Sequence, residues 1–348
     1  MEQEGFTVRS VEEIGSFIRE KEAALRPGQP PLLIVEDGGY VVPQLHRGRS
    51  ALLPHVIGAV EQTTKGLRAI ETWGRENQAT GDLDQAMQFP LLSVPDSTIK
   101  LGVEPSIIGD QVVQCIQGLT NHIVLQGAQV GLIGLGSIGM EVFHRLRATG
   151  AHVTGYDTQL SRRVQFHIRG GRLAATPADA VRDKRLVIGC TGGPSLDAEG
   201  LPHLSHGCFL ASASSDRLEI DWQWLEAHAD IKERFGIRDE KLQPGRMWAG
   251  TRYLLRGQPQ KEINLLADGY PVTFWGFPGM PHPGGDLVMT VMLIAAAALA
   301  ARNNPRSNRR SASPYPNGIC RQAVDQLDEE YKILLEYAQH YHPEALRG

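Results

Sequence analysis

Three glycines near the middle of the chain have the spacing of a phosphate-binding turn. They lie in the run Gly134-Leu135-Gly136-Ser137-Ile138-Gly139. In such a run the first glycine permits a tight turn, the second lets a phosphate approach bare backbone, and the third lets a helix pack closely on a strand. Unpaired N–H groups and the helix dipole at the start of that helix favour anions. The run therefore predicts a site for the pyrophosphate of a dinucleotide.

A carboxylate stands where such a site needs one. Asp157 lies about 20 residues beyond the glycines, at the distance where an acidic side chain accepts hydrogen bonds from the adenosine ribose. A negative charge at this place repels a 2′-phosphate. The pattern therefore favours NAD over NADP as the cofactor.

Lys100 and Glu104 form a second pair that could do chemistry, because they lie one helical turn apart. A lysine shielded from water can act as a base, while a nearby carboxylate orients it. The alternative is an exposed ion pair on a helix, which the same spacing also favours. The residues alone leave both interpretations open.

Alternating strand and helix patterns must position these residues. The apolar run Val130 to Ile133 precedes the glycines, helical spacing follows them, and His152 to Tyr156 is a β-prone run that ends at Asp157. We expect an α/β fold in which a doubly wound parallel sheet forms a Rossmann NAD-binding domain, beside a reduced second α/β domain for substrate. The expected divisions are a truncated substrate and catalytic domain over 1–105, the Rossmann domain over 106–290, and C-terminal helices over 291–348 that return to the first domain or to an oligomer interface.

Several local patterns give further expectations. We expect a buried strand over 32–35, and mostly helix over 52–76 with a break near 61–66, where a helix start or a polar turn is favoured. We also expect a helix from Ser106, a hairpin of 252–255 with 261–266, a last strand over 272–275, and an irregular Gly/Pro segment over 276–285.

Composition limits the classes of protein that the chain can be. Its 348 residues carry 35 Lys and Arg against 39 Asp and Glu, so charge gives no reason to expect nucleic acid or an anionic membrane as partner. The four widely spaced cysteines fit reduced thiols in a cytoplasm and make a metal site improbable. The longest apolar run, 287–301, is shorter than the roughly 20 residues that span a bilayer, and we expect a buried helix there. We find no signal peptide pattern at the N-terminus.

Several segments, in the same order along the chain, resemble adenosylhomocysteinase, a family that uses NAD to hydrolyse S-adenosylhomocysteine. Besides the glycine run, they are Glu36-Asp-Gly-Gly39, Gly58-Ala-Val-Glu-Gln-Thr-Thr-Lys-Gly66, Asp96-Ser-Thr-Ile-Lys100, Asp216-Arg-Leu-Glu-Ile-Asp221, Leu265-Leu-Ala-Asp-Gly269 and Val288-Met-Thr290. The resemblance covers about 32–301. It implies that NAD takes hydride from the 3′-carbon, that a group then leaves C5′, that water adds, and that the ketone is reduced back.

The resemblance also assigns roles to particular residues. It implies that Lys100 takes the 3′-hydroxyl proton, that Glu104 stands in for an aspartate paired with that lysine, and that Thr63 and Thr64 contact the nicotinamide end of NAD. We expect Thr191, Gly192 and Thr273 to be further cofactor contacts.

Other positions depart from the family. Gln62 replaces a glutamate that grips the substrate, Tyr40 replaces an acid/base aspartate, and Ser214 replaces a histidine beside the sugar. The family's first region of roughly 100 residues, which binds adenine, has no counterpart in this sequence. Tyr40, His46 and His282 are candidates for the missing proton transfers, and His46 also for substrate contact, although lone histidines more often serve packing or lie on the surface.

These observations leave three hypotheses. The first is an enzyme that holds NAD tightly, oxidises a secondary hydroxyl of a nucleoside or sugar-like substrate, and uses the ketone for elimination. The second is a net dehydrogenase that releases NADH. The third is a catalytically silent NAD-binding regulatory protein. By analogy with the family we expect a homo-oligomer.

Overall fold

The computed structural model describes residues 10–76, 86–236, 248–257, 260–275, 280–302 and 315–347. The chain forms two compact units. The first unit comprises Met1–Gly102 with His282–Gly348, and the second unit comprises Val103–Pro281.

Twelve strands occur in the described residues. They are β1 (Leu32–Glu36), β2 (Val56–Glu61), β3 (Pro90–Ser93), β4 (Gln129–Ile133), β5 (His152–Tyr156), β6 (Arg172–Leu173), β7 (Leu186–Gly189), β8 (Cys208–Ser212), β9 (Ala229–Phe235), β10 (Gly250–Leu255), β11 (Lys261–Leu266) and β12 (Gly318–Cys320).

The α-helices of the described residues follow in the same numbering. They are α1 (Ile14–Ala23), α2 (Val41–Arg47), α3 (Thr64–Glu76), α4 (Thr98–Leu119), α5 (Ser137–Ala148), α6 (Leu160–Ile168), α7 (Pro177–Val181), α8 (Trp222–His228), α9 (His282–Arg302), α10 (Ala323–Tyr331) and α11 (Ile333–Tyr341).

The first unit is built on a four-stranded parallel sheet in the order β1-β2-β3-β12. The expected strand over 32–35 is confirmed, but the expectation that it is buried is wrong, because three of these residues are half-buried and Val35 is exposed. The expectation of helix over 52–76 is wrong for Val56–Glu61, which is the almost fully buried strand β2. A strand buried on both faces shows no alternation of polar and apolar residues, so a short apolar run does not distinguish it from helix.

The second unit contains an eight-stranded sheet in the order β6-β5-β4-β7-β8-β11-β10-β9. The strands from β6 to β11 are parallel, and β10 and β9 extend the sheet in antiparallel fashion. Taken in chain order, the six parallel strands have the 3-2-1-4-5-6 arrangement of a doubly wound nucleotide-binding fold. The expected fold class and the β10–β11 hairpin are therefore confirmed, whereas β9 has five consecutive exposed residues and was not expected.

Helix α4 begins earlier than the sequence indicates. It starts at Thr98 and continues through Pro105 to Leu119, whereas the sequence analysis placed the start of a helix at Ser106. Proline lacks a backbone N–H and normally marks a helix start, which explains the misplaced boundary. Lys100 and Glu104 consequently lie on one helix, one turn apart.

Two expectations near the end of the second unit are wrong. The segment Val272–Phe274 is a 3₁₀ helix rather than a strand. The Gly/Pro segment was expected to be irregular up to Gly285, but α9 begins at His282; residues 276–279 lie outside the described part of the chain.

Helix α9 is 21 residues long because the five residues before the apolar run, and Arg302 after it, join it. By length and composition alone α9 could cross a membrane, and 44% of its most apolar stretch is buried inside the protein. Leu287, Val291, Ala295 and Leu299 form a buried stripe at helical spacing, and the helix contacts β1 and β2. This side of α9 is thus part of the core of the first unit.

Candidate dinucleotide and active sites

Two of the three glycines in the turn after β4 are required by the backbone itself. Gly134 has φ +96°, and a Cβ there would lie 2.5 Å from the carbonyl carbon of Cys190. A Cβ on Gly139 would overlap the carbonyl oxygen of Gly134. Neither position accepts a side chain without moving backbone, because L-residues avoid positive φ and packed backbone cannot yield.

Gly136 is different, because the space beside it is open to a ligand. It is the N-cap residue of α5 and has an extended backbone. The nearest atoms to a Cβ at this place belong to the guanidinium of Arg162, 3.7 Å away, and not to backbone. The N–H groups of Ser137 and Ile138 lie in the first turn of α5, where no preceding turn of helix supplies carbonyl acceptors for them. This arrangement fits the pyrophosphate of a dinucleotide.

Asp157, directly after β5, is held in place by backbone donors. The N–H of Leu135 donates to its Oδ2 (2.8 Å) and the N–H of Gln159 donates to its Oδ1 (2.8 Å). The Arg162 Nη1 lies 3.5 Å from Oδ2. Each carboxylate oxygen has a second lone pair, so the side chain can still accept hydrogen bonds from a ribose.

The loop after β7 carries the predicted cofactor contacts Thr191 and Gly192, and a buried carboxylate shapes it. The Gly192 N–H donates to Glu219 Oε1 (2.7 Å), and the Thr191 hydroxyl lies 3.0 Å from Glu219 Oε2. Burial raises the pKa of Glu219 above its ordinary value. Burial, and secondarily the charge of Glu219, raises the pKa of the Cys190 thiol well above its ordinary value. The sequence analysis missed Glu219, because its partners come from a loop 27 and 28 residues away.

The remaining predicted residues of the second unit are also located. The Ser214 hydroxyl donates to the carbonyl of Asp216 (2.7 Å) and lies 3.0 Å from the Ser212 hydroxyl. Thr273 is buried in the short 3₁₀ helix. Ser214 thus keeps only acceptor capacity for a ligand.

In the first unit, Glu61 joins two loops at the carboxyl edge of the sheet. It is 0% exposed and accepts from the N–H groups of Gly38 (3.1 Å), Gly39 (3.0 Å) and Thr63 (2.7 Å). The Thr63 hydroxyl also donates to Glu61 (2.7 Å) and accepts from the Gly66 N–H (3.0 Å). Thr63 therefore caps α3, with its hydroxyl proton committed within the protein, and Thr64 is exposed beside it.

Glu36 pairs with Glu61 in register and is 4% exposed. Its Oε1 accepts from the N–H groups of Val41 and Val42 at the start of α2, while its Oε2 is buried without a hydrogen-bond partner. Burial, and secondarily the charge of Glu61, raises the pKa of Glu36 to about 7. A carboxyl group of this kind changes its charge near neutral pH, and the sequence analysis did not single it out.

The raised pKa predicts a pH dependence of stability. Because the folded state holds the Glu36 proton up to about pH 7 and the unfolded state only to its ordinary value, stability should fall as pH rises between these values. Glu36→Gln should remove this fall and stabilise the protein at pH 8 by up to about 3 kcal/mol, with no gain at pH 4. Urea unfolding across this range measures it.

Asp37→Asn is the matched control, because Asp37 is adjacent but exposed, and it should keep the wild-type slope. An unchanged slope in Glu36→Gln would contradict the assignment.

Lys100 is 7% exposed, so the exposed ion pair is not its environment. Its Nζ donates to the backbone carbonyl of Gln62 (2.6 Å), and the Gln62 N–H donates to the Glu36 carbonyl (3.0 Å). Lys100 thus lies at the ends of β1 and β2. Glu104 is half-buried one turn further along α4.

Tyr40 has a partner that the sequence did not indicate. The Lys65 Nζ donates to the Tyr40 hydroxyl oxygen (2.7 Å), and the Tyr40 ring lies against Gly38. Since Lys65 supplies the donor, the Tyr40 proton is directed elsewhere. The first unit therefore brings Tyr40, Gln62 and Lys100 to one sheet edge.

The two candidate histidines lie in different environments, one buried and one exposed. His46 is buried against Trp73 and Phe89. Its Nδ1 lies 2.8 Å from the Val42 carbonyl, its Nε2 accepts from the Gln88 N–H (3.3 Å), and burial lowers its pKa. His46 is therefore a packing residue, which corrects its prediction as a candidate for proton transfer and substrate contact. His282 is exposed at the start of α9. No group of His, Cys, Asp or Glu that could hold a metal ion occurs in the described residues.

The fold and the glycine turn define the second unit as a Rossmann NAD-binding domain. Residues 114–188 match the family model described as "D-isomer specific 2-hydroxyacid dehydrogenase, NAD binding domain". This range contains β4, α5 and β5 with the whole glycine turn. The prediction of NAD as cofactor is confirmed by this match.

Curated relatives cover more of the chain. It is 26% identical over 275 residues to the S-inosyl-L-homocysteine hydrolase of Methanothermobacter thermautotrophicus, covering 78% of this chain and 60% of that protein. It is 26% identical over 325 residues to the adenosylhomocysteinase of Pyrococcus abyssi, covering 89% of this chain and 71% of that protein. The chain is therefore a divergent, partial relative of adenosylhomocysteinase, and the predicted resemblance is confirmed.

Solved structures also match parts of the chain at low similarity. A dehydrogenase from Rhizobium meliloti is 15% identical with a TM-score of 0.40, covering 80% of this chain and 86% of that chain. A putative D-3-phosphoglycerate dehydrogenase from Ralstonia solanacearum is 14% identical with a TM-score of 0.39, covering 61% and 64%.

Proposed function

We propose that the protein is an adenosylhomocysteinase-like enzyme that oxidises a secondary, 3′-type hydroxyl of a nucleoside or sugar-like substrate and uses the ketone for elimination. The observation that carries the proposal is the buried Lys100, whose Nζ is fixed by the Gln62 carbonyl at the carboxyl edge of the first sheet. In parallel α/β sheets, ligands bind at this edge. NAD, when bound, supplies the hydride acceptor.

Lys100 is the base in the oxidation step. It takes the hydroxyl proton while hydride leaves the same carbon, so the substrate loses two electrons and two hydrogens in all. The short bond to the Gln62 carbonyl holds the amine in position, and burial excludes water that would compete for the proton. Glu104 orients this lysine from the next turn of α4.

Tyr40 serves the elimination. Once the ketone has formed, the neighbouring C–H is acidic; His282 is the candidate base that takes its proton, the C–H electron pair forms the double bond, and the leaving group departs with a proton from an acid. The Tyr40 hydroxyl can donate that proton, because its oxygen already accepts from Lys65. His282 is the second candidate for proton transfer, and Gln62 and Ser214 bind substrate hydroxyls.

The substrate class rests on the relatives. One is an S-inosyl-L-homocysteine hydrolase and another an adenosylhomocysteinase, and the alignments span only 60% of the length of the former and 71% of the latter. We propose a nucleoside-like substrate and leave the group on C5′ open. The four widely spaced cysteines agree with reduced thiols in a cytoplasmic protein, and the exposed Met289 and Leu293 on α9 are consistent with a homo-oligomer, which light scattering tests.

Mutation of Lys100 tests the oxidation step. Lys100→Met keeps the apolar stem but removes the base, so it should retain NAD affinity and lose NAD reduction by a nucleoside panel by about 100-fold or more. The measurement is absorbance of reduced nicotinamide on NAD-loaded protein. Lys261→Met is the control and should keep wild-type reduction; this half-buried lysine of the second unit donates to the Pro202 carbonyl. Wild-type reduction in Lys100→Met would remove Lys100 from the mechanism.

A net dehydrogenase is the second candidate, favoured by the dehydrogenase family model that matches the second unit. The same absorbance separates the two. Reduced nicotinamide that stops at about one equivalent per subunit indicates an internal redox cycle. Continued accumulation with excess NAD indicates a dehydrogenase.

A further inference from the structure

Arg162 adds a positive charge to the dinucleotide site that the glycine turn does not require. It lies on α6, and its Nη1 is 3.5 Å from Asp157 Oδ2. Its guanidinium carbon is 3.7 Å from the place of a Cβ on Gly136. The side chain is 36% exposed, so its remaining N–H donors can reach a ligand. Arg162 thus lies beside both Gly136, where the pyrophosphate is expected, and Asp157, where the adenosine ribose is expected.

The position determines which ligand atoms the guanidinium faces. In a site of this kind the pyrophosphate lies at Gly136 and the ribose 2′- and 3′-hydroxyls lie at Asp157. A group beside both residues is close to the 2′ position. A guanidinium binds phosphate through two parallel N–H donors, which no neutral side chain does.

Arg162 also changes the electrostatic argument against a 2′-phosphate. Asp157 alone would repel a second negative charge. Here its carboxylate is compensated by two backbone N–H donors and by Arg162. The repulsion is therefore opposed by a cation at the same place, and the guanidinium can turn from Asp157 toward an incoming phosphate.

We propose that the dinucleotide site accepts NADP as well as NAD, and that Arg162 is the residue that holds the 2′-phosphate. The inference concerns binding only. It stands or fails independently of the reaction proposed for the first unit.

The test is the dissociation constant of NAD and of NADP, measured by calorimetry on the full chain at low ionic strength. The wild type should bind the two within about tenfold of each other. Arg162→Ala should weaken NADP by about tenfold or more, the size expected for a lost charge-assisted pair, and NAD by less than about threefold. Arg162→Lys, which keeps the charge without the planar pair of donors, should be intermediate.

Arg182→Ala is the matched control, because Arg182 is an exposed arginine of the same unit paired with Asp179 at 3.2 Å. It should change neither constant. Failure of the wild type to bind NADP, or equal weakening of both cofactors in Arg162→Ala, would overturn the proposal. The second outcome would assign Arg162 to the pyrophosphate instead.

Discussion

Replacing Gly136 with valine should abolish NAD binding and leave the protein folded. A side chain at this position meets only the mobile end of Arg162, so the protein itself can accommodate it. The pyrophosphate cannot, because the valine occupies the space through which it approaches the backbone. We expect NAD affinity to fall by at least about 100-fold, or roughly 3 kcal/mol, measured by calorimetry, with little change in the thermal midpoint.

Two other glycines provide the comparison. Gly102→Ala lies on α4 with open space around it and should keep NAD affinity. Gly139→Val should prevent folding, because its side chain would overlap the Gly134 carbonyl. NAD binding of wild-type strength by a folded Gly136→Val protein would refute the placement of the pyrophosphate.

Glu61→Ala should produce the largest loss of stability among single changes at the carboxyl edge of the first sheet. The variant leaves three backbone N–H groups and the Thr63 hydroxyl without their acceptor in a buried place. Each hydrogen bond to a buried charge contributes roughly 1.5–3 kcal/mol. Allowing for water that enters the vacated space, we expect a loss on the order of 4 kcal/mol in urea unfolding.

Glu76→Ala is the control, because it removes another carboxylate of the first unit, at the end of the neighbouring helix α3. Glu76 pairs with Arg47 at 3.6 Å and is exposed, and such pairs contribute at most about 1 kcal/mol. Hydrogen exchange would localise the effect, since the amides of Gly38 and Gly39 should exchange faster in Glu61→Ala than in Glu76→Ala. A loss below 1 kcal/mol with unchanged exchange would show that Glu61 does not hold the two loops together.

The strand, turn and helix that form the candidate dinucleotide site were predictable from the sequence because their determinants are local. One strand–helix–strand unit contains the glycines, the first turn of α5 and Asp157 in succession. Two of the glycines lie where packed backbone excludes a side chain, and the third leaves space for a ligand. The hairpin of β10 and β11 is similarly local. Short-range patterns of this kind carry their geometry with them.

The carboxylates that shape the two sites were not predictable in the same way. Glu61 and Glu219 each accept hydrogen bonds from residues that lie 22 to 28 positions away in the chain. Nothing in the sequence near either glutamate indicates those donors. The pairing of Tyr40 with Lys65 likewise depends on the parallel alignment of β1 with β2. His46 gave the same signal as a catalytic histidine, because burial among aromatic rings leaves no mark in the sequence.

Strand β9 bears on how copies of the chain can associate. It is the last strand of the second sheet in the described part of the chain, and Lys232, Glu233 and Arg234 lie exposed in succession along it. A second molecule that added a strand here would strip water from three charged side chains, so edge-to-edge pairing at this strand is disfavoured. Among the described strands, β9 is therefore an edge at which we expect copies of this chain not to pair.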